Sequence, residues 1–282
     1  MGINENLDRF NGNSSRDRRV CENRHLHVAL REHVHWIGYT GPLCVSSHQF
    51  SEWELPEGTV TLIVSLGDPL RTPISQEHQI ITAAPPSFVV GLHERPHLSA
   101  NPHGTALIRM DMTPLGAYSL LGVPMRELAN TFLDLEVFFG FAARQLVDRL
   151  RETSDWSAQV RLLSAFLLER LENGPVADRN IGHAWRELRR TGGRRAVADL
   201  ADDVGWNRRH LTRRFTEQVG LPPKTLARIL RMQRALDLLK EEPHLGQTRV
   251  AADAGFSDQA HLIREFRSIS GRTPTQFLRK PL

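Results

Sequence analysis

Basic and hydroxyl side chains are concentrated between Arg208 and Val219, where together they could bind an anion. In a helix, Leu211, Phe215 and Val219 recur every four residues and form one apolar stripe for a protein core to cover. Arginine can bond guanine O6 and N7 together, so the opposite side of such a helix could read DNA. A solvated basic face is the simpler interpretation, and both remain open for the helix alone. The polar residues off the stripe are Arg208, Arg209, Thr212, Arg213 and Thr216.

The residues before this helix predict a helix-turn-helix motif. The segment from Ala196 to Asp203 has the apolar spacing of a short helix, and Gly205 can adopt the positive φ that the turn requires. Asn207 is a suitable N-cap because its side-chain oxygen can accept a hydrogen bond from an amide at the helix start. In such a motif the second helix enters the DNA major groove.

The motif occurs twice in the chain. The segment from Ala251 to Phe256 repeats that from Ala201 to Trp206 at an offset of fifty, and one extra turn residue then makes the offset fifty-one. A repeated supersecondary unit of this kind predicts two copies of one structure. The positions that follow in the second copy are Asp258, His261, Leu262, Arg264, Phe266, Gly271 and Pro274, which match Asn207, His210, Leu211, Arg213, Phe215, Gly220 and Pro223.

These residues resemble the AraC/XylS family of transcription regulators. The resemblance covers about Arg194 to Phe277 and includes the second motif, AADAGFSDQAHLIREFRSISGRTPTQF. The segments LPEGTVTLIVSLGDP, TPLGAYSLLGVPMRELAN and AWRELRRTGG resemble, more weakly, the sensor half of an actinobacterial-type branch. The resemblance implies a homodimer that binds double-stranded DNA and a small-molecule effector. It also implies activation through contact with RNA polymerase. The two cysteines, with no CxxC pair, suit a reducing bacterial cytoplasm.

A helix predicted from Pro223 to Glu242 connects the two motifs. Pro223 suits the first helical position, and Pro243 ends the helix. About eighteen residues at about 1.5 Å each form a rod of roughly 27 Å, and successive major-groove faces of B-DNA lie about 34 Å apart. One chain could therefore place two recognition helices in adjacent grooves and read a bipartite site.

Both recognition helices carry predicted base readers. Arginine suits guanine, Gln259 suits adenine, and small or apolar side chains suit the thymine methyl. Basic residues elsewhere are predicted to contact phosphates, which position a protein without specifying sequence. His210 and His261 could contact phosphates or pack locally. The predicted DNA-binding residues are Arg208, Arg209, Thr212, Arg213, Gln259, Ala260, Ile263 and Arg264, and the predicted phosphate contacts are Lys224, Arg228, Arg249 and Arg267.

Charge and hydropathy divide the chain. Before Arg190 there are 18 Lys+Arg and 22 Asp+Glu residues, and from Arg190 onward there are 18 and 10, so the C-terminal part is basic, as nucleic-acid binders are.

Short runs rich in Val, Ile and Thr between His25 and Asp111, HLHVALRE among them, predict strands. We therefore expect an α+β protein with an N-terminal β-barrel or sandwich, a helical hairpin and an all-α double helix-turn-helix domain. The family resemblance implies a cupin-like barrel.

The hairpin is predicted from Leu135 to Glu152 and from Asp155 to Asn173, with Phe138 and Phe141 on its apolar stripe. It could form a dimer or cover the β-rich region. Thr191-Gly192-Gly193 is predicted as a hinge. The expected division is a disordered tail (1–20), a β-rich sensor-like domain (21–112), a helical dimerisation or linker region (113–190) and the DNA-binding domain (191–282).

Histidines in the β-rich region raise the alternative of a cupin-like metal-dependent enzyme. Such a site needs three or four ligands converging. We favour ordinary histidines, because Glu94 directly follows His93 and would point to the opposite face of a strand. Trp36, Trp53 and Phe88 could line a ligand pocket or fill the core. The candidate ligands are His25, His27, His33, His35, His93, Glu94, His97 and His103.

Enzyme chemistry and membrane insertion are not expected. Cys21 and Cys44 lack the Pro-Cys-His-Arg run of alkyl-transfer proteins that carry this type of DNA module, and no Walker A, GxSxG or GxGxxG motif is present. We expect no metal and no cofactor, and no apolar run reaches the length of a membrane span. A DNA-binding protein without an effector is the second alternative.

Overall fold

The computed structural model describes residues 26–40, 50–67, 74–76, 79–81, 85, 87–101 and 106–279. The predicted tail, both cysteines, His25 and His103 lie outside these ranges. The strands are β1 Val34–Thr40, β2 Phe50–Glu54, β3 Val60–Ser65, β4 Ile74–Gln76, β5 Gln79–Ile81, β6 Ser87–Val90, β7 His97–Asn101, β8 Leu107–Met112 and β9 Phe132–Asp134. The helices are α1 Pro114–Leu121, α2 Leu135–Phe139, α3 Phe141–Glu152, α4 Trp156–Asn173, α5 Arg179–Arg190, α6 Val197–Asp203, α7 Arg208–Val219, α8 Pro223–Glu241, α9 Gln247–Ala254, α10 Gln259–Ser270 and α11 Pro274–Arg279. The predicted α+β class is confirmed.

The N-terminal part is built on a five-stranded antiparallel sheet in the order β1-β8-β3-β6-β9. Its two faces follow from the register, since Leu62 lies opposite Met110 and Ile63 lies opposite Arg109. The face that carries Leu62 packs against the helices and is mainly apolar, although the buried Ser87 lies on it opposite Val64. The other face is apolar at one end, around Phe88, and polar at the other, around Arg109. The remaining described strands form two-stranded sheets, β2 with β7 and β4 with β5.

The predicted strand HLHVALRE is wrong. Val28–Leu30 forms a 3-10 turn, and the Nδ1 atom of His27 accepts a hydrogen bond from the Ala29 amide at 3.3 Å. Leu26 and Leu30 are both buried, whereas Val28 is 69% exposed. The apolar residues that the core takes up are therefore spaced by four, which suits a turn, rather than by two, which a strand requires.

The helical hairpin differs from its prediction at Gly140. This glycine has φ +55° and divides the predicted Leu135–Glu152 helix into α2 and α3. The break turns Phe141 outward, where it is 65% exposed, so its assignment to the apolar stripe is wrong. Phe138 packs partly against the core as predicted.

The predicted hinge at Thr191-Gly192-Gly193 is a packed turn. Gly193 has φ +77°, and a Cβ atom there would lie 2.2 Å from the carbonyl oxygen of Ala227 in α8. The guanidinium of Arg231 donates to the Gly193 carbonyl at 2.8 Å. The close approach of the two backbones requires glycine, and it fastens the segment to α8.

One buried apolar cluster includes the sheet, α1 to α7 and the first half of α8. Two smaller clusters lie under α9 and α10. The division of the chain at residues 20, 112 and 190 remains a prediction. Within the described ranges, no helix has both the length and the apolar character to cross a bilayer.

Candidate nucleic-acid interface

The first helix-turn-helix motif, which we define as α6, α7 and the turn between them, is built as its sequence predicts. Gly205 has φ +67°, and the Trp206 amide closes the turn by donating to the Ala201 carbonyl at 2.9 Å. Asn207 caps α7, because its Oδ1 atom accepts from the His210 amide at 2.8 Å. Phe215 is fully buried beneath the helix, so the opposite side of α7 faces outward.

The second motif, α9, α10 and their turn, repeats this geometry. Gly255 has φ +84°, and the Phe256 amide donates to the Ala251 carbonyl at 2.8 Å. The Oδ1 atom of Asp258 accepts from the His261 amide at 2.7 Å. Phe266 is fully buried, as its counterpart in α7 is. The internal repeat is therefore present in the structure at the level of individual hydrogen bonds.

The two matching histidines make matching contacts. The ring of His210 lies edge-on to Trp206, with 4.4 Å between ring centroids and an interplanar angle of 86°. The ring of His261 lies edge-on to Phe256 at 5.4 Å and 89°. Edge-to-face pairs of this kind stabilise the turn between the helices. The contacts agree with a packing role for both histidines.

The arginines predicted to read bases in α7 are exposed. Arg208, Arg209 and Arg213 are exposed, and Thr212 is half-buried. Arg214 differs, because its guanidinium lies 2.9 Å from Glu217 and 3.9 Å from Asp178. The first three project outward, while Arg214 ties α7 to the start of α5.

The second recognition helix presents a less charged surface. Ala260 and Arg264 are exposed, and Ile263 is half-buried. The amide of Gln259 is bonded within the motif, donating to Gln247 Oε1 at 2.8 Å and accepting from the Thr248 hydroxyl at 3.3 Å. Gln259 must therefore give up these two internal hydrogen bonds before its side-chain amide can contact a base.

The four predicted phosphate contacts divide into two classes. Lys224, Arg267 and Arg249 are all exposed, but Arg249 also forms an ion pair with Asp253 at 2.8 Å. Arg228 is held by Glu265 and by the Ser268 hydroxyl, which lies 2.9 Å away. An exposed cation reaches a phosphate at lower cost than one that must leave a partner.

A cleft of about 230 Å³ separates the N-terminal part from the second motif. One wall is the loop after β6, with Glu94 and Arg95, and the other consists of α8 and α10. Asn130, at φ +59°, braces this loop, because its Oδ1 atom accepts from the Glu94 amide at 2.9 Å.

Gln218 is a buried polar residue that the sequence did not reveal. It is 1% exposed, and its Oε1 atom accepts from the Asp178 amide at 2.9 Å. The bond joins α7 to the segment before α5. The two residues are forty positions apart, so no local pattern could have revealed the contact.

A charged cluster occupies the polar end of the sheet. Arg109 lies 2.9 Å from Asp111 and 3.3 Å from Glu54, and the Thr61 hydroxyl donates to Asp111 at 2.7 Å. Burial acts to lower the pKa of Arg109, but the carboxylates of Asp111, Glu54 and Glu57 raise it overall. Arg109 therefore stays charged inside the N-terminal part.

Two candidate metal ligands lie near this cluster. Burial lowers the pKa of His35 to about 4 and also lowers that of His93, whose Nδ1 atom lies 2.8 Å from the Gly91 carbonyl. Among the residues that the structure describes, no three His, Cys, Asp or Glu side chains lie together as a metal site. The strand that bears His97 is described, but its side chain is not.

Residues 200–280 match a family model described as a helix-turn-helix domain. The match contains α7, α8, α9 and α10 entirely. This part of the chain is an AraC-type helix-turn-helix domain. This domain carries the two helix-turn-helix motifs whose turn and cap hydrogen bonds match.

Curated relatives match over short stretches. An uncharacterized HTH-type transcriptional regulator of Staphylococcus aureus (strain MSSA476) is 31% identical over 83 residues, which are 29% of this chain and 11% of that protein. The uncharacterized HTH-type transcriptional regulator YbfI of Bacillus subtilis is 38% identical over 64 residues, 23% of this chain and 22% of YbfI. The match thus spans about a tenth of the first relative and about a fifth of the second.

Solved structures give partial similarity. The similarity to ToxT from Vibrio cholerae covers 87% of this chain and 97% of the ToxT chain, with 12% identity and a TM-score of 0.43. The C-terminal domain of AraT, a response regulator from Geobacillus stearothermophilus, covers 38% of this chain and 88% of its own at 19% identity and a TM-score of 0.35.

Proposed function

We propose that the protein is a transcription regulator that binds a bipartite DNA site through its AraC-type domain. The observation that carries the proposal is the repeated motif on a single connecting helix. α8 has 19 residues, which corresponds to about 28 Å at about 1.5 Å per residue. That length supports two recognition helices in successive major grooves on one side of the duplex.

The exposed side chains support a division of the reading between the two helices. Arg209 and Arg213 are the proposed guanine readers of α7, with Arg208 and Thr212 beside them. In α10, Gln259 is the proposed adenine reader, Arg264 contacts guanine or phosphate, and Ala260 and Ile263 contact thymine methyl groups. The proposed base readers of α7 include three exposed arginines, whereas those of α10 include one, Arg264, so the first motif should supply most of the affinity.

Among the phosphate contacts, Lys224 and Arg267 are the stronger candidates because both are exposed and, among the described residues, neither forms a salt bridge. Lys224 stands in the first turn of α8, where backbone amides and the helix dipole also favour a phosphate. Arg249 and Arg228 remain proposed contacts, each at the expense of an ion pair.

The proposed partners also include a second copy of the chain, RNA polymerase and a small-molecule effector. Val137 and Phe141 are 66% and 65% exposed around the Gly140 break, and this apolar surface supports a homodimer through α2 and α3. The family resemblance favours activation by contact with RNA polymerase, and the low cysteine count favours residence in the bacterial cytoplasm. The charged cluster around Arg109 supports an effector-responsive N-terminal part, since a sheet that merely covers helices does not need buried charges.

Genome-wide mapping of the DNA bound by the full-length protein tests the proposal. We expect a recurring site with two half-sites about one helical turn apart. Moving the half-sites apart by about five base pairs should abolish tight binding, because the second half-site then faces the other side of the duplex. Binding that is unaffected by this change would contradict the bipartite proposal.

The alternative functions predict different results. A thermal-shift screen with small molecules separates an effector-controlled regulator from one without an effector, because a ligand that binds only the folded state raises the melting temperature. A metal-dependent enzyme would contain about one tightly bound metal ion per chain.

A further inference from the structure

The two motifs are attached to the rest of the chain in different ways. Leu200, Leu211 and Phe215 of the first motif belong to the same buried cluster as the sheet and α1 to α5. The larger cluster of the second motif consists of residues between Ala235 and Leu262. The first motif therefore forms one body with the N-terminal part, and the second motif has a core of its own.

α8 crosses the junction between these two bodies. Its residues Leu226, Ile229 and Leu230 are buried in the first body. From Met232 onward, its apolar side chains are buried in the clusters of the second motif. The angle between the two recognition helices therefore depends on the contacts that the middle of α8 makes with the rest of the protein.

The loop that follows β2 lies along α8 across this junction. A Cβ atom on Gly58 would lie 3.7 Å from Leu230 and 3.8 Å from Leu226, which is ordinary van der Waals contact with the first body. The Pro56 carbonyl accepts a hydrogen bond from the side chain of Gln233 at 3.0 Å. Leu55 packs against the cluster of Met232, Leu236 and Phe266 in the second body.

The β2 end of this loop is held to the five-stranded sheet by an ion pair. Glu54, the last residue of β2, pairs with the Arg109 guanidinium at 3.3 Å, and Arg109 also pairs with Asp111. On the α8 side, burial lowers the pKa of Lys240, and the carboxylates of Asp237 and Glu57 act in the opposite sense. The loop therefore links the charged cluster of the sheet to the helix that carries the second motif.

We propose that residues 54–58, which we call the splint, set the position of the second recognition helix according to the state of the N-terminal part. Elsewhere, the cleft lined by Glu94 and Arg95 leaves room between that part and the second motif. A ligand or partner that alters the Arg109–Glu54 pair would shift the splint along α8. The role of the splint in DNA recognition rests on the proposed function, whereas its mechanical role does not.

Hydrogen exchange of the full-length protein without DNA tests the mechanical role. Leu55→Ala removes the apolar contact, and Gln233→Ala removes the hydrogen bond at a half-buried position where the fold should be kept. We expect amides of α9 and α10 to exchange at least about threefold faster in either variant, with α6 and α7 unchanged. Gln145→Ala, a change of the same type at an exposed site on α3, is the matched control and should change neither motif.

Unchanged exchange in both variants, or equal acceleration in both motifs, would overturn the proposal. A second measurement compares binding to paired half-sites at the optimal spacing and with one base pair inserted. Wild type should discriminate between these duplexes several-fold more strongly than Leu55→Ala or Gln233→Ala, and equal discrimination would refute a role in recognition. If wild type binds no DNA, the proposed function fails while the exchange result still decides the splint.

Discussion

Replacing Arg213 by alanine should reduce both affinity and base selection. Arg213 is exposed in the middle of α7, so its removal should leave the stability of the folded protein almost unchanged. The neighbouring Arg214 offers a matched control, because it pairs with Glu217 and Asp178. Arg214→Ala should lower stability and leave the preferred bases unaltered.

The size of the effect follows from the contacts. A bidentate arginine–guanine contact contributes about 1–3 kcal/mol of discrimination, which corresponds to roughly a 5- to 140-fold loss of affinity for the preferred site. Gln259 should contribute less, because binding adenine requires it to give up its bonds to Gln247 and Thr248. Each such bond is worth about 0.5–1.5 kcal/mol when buried, and both are exposed here.

Binding of Arg213→Ala, Gln259→Ala and Arg214→Ala to a randomised site library at two salt concentrations measures these effects. Arg213→Ala should relax the preference at one base pair. An equal loss on every sequence would show that Arg213 contacts phosphate instead. A larger loss from Gln259→Ala than from Arg213→Ala would show that the second motif dominates the reading.

Four further predictions can be checked independently. Lys224→Ala should weaken binding to all sequences alike and reduce the slope of log affinity against log salt by about one unit, as salt titrations would show. Burial lowers the pKa of folded His35 to about 4, so the unfolded state binds the extra proton and stability should fall as pH decreases from about 6.5 towards 4, by on the order of 2–3 kcal/mol. Comparing the denaturant unfolding of wild type and His35→Gln across this pH range isolates the effect of His35 from that of Asp237. The pKa of Asp237 is raised to about 6, so its contribution to stability changes with pH in the opposite sense. Elemental analysis of purified protein should find no stoichiometric metal, and about one ion per chain that is lost on His93→Ala would contradict this. The fragment from Gly192 to Leu282 should fold and bind DNA, and an unfolded fragment would refute the domain division. Hydrogen exchange in this fragment should be faster in α6 and α7 than in α9 and α10, because the first motif loses a shared core whereas the second loses only the contacts of the splint.

The helix-turn-helix domain could be predicted closely because its determinants are local. Caps, turn glycines and buried phenylalanines act within a few residues of each other, and the repeat provides a second copy of each. The ends of α7 and α10 follow from Asn207 and Asp258 at the start and Gly220 and Gly271 at the finish.

The N-terminal part was harder to predict because its determinants are distant in sequence. The 3-10 turn at Val28 has the composition of a strand, and only the burial of Leu26 and Leu30 distinguishes it. The break at Gly140 depends on a positive φ that a helical pattern does not reveal. The bond between Gln233 and Pro56 joins residues 177 positions apart, so no local pattern indicates it.

The packed turn at Gly193 changes where this chain could be joined to another. A hybrid regulator built by cutting at residues 191–193 would separate α7 from the helices that share its core, and would open the backbone contact between Gly193 and Ala227. A cut near Arg231 would instead exchange the second motif with its own core intact. With the bipartite site that we propose, such a hybrid would read half of a foreign binding site and keep its original first half-site, and the exchangeable unit of specificity would be a single motif rather than the whole DNA-binding domain.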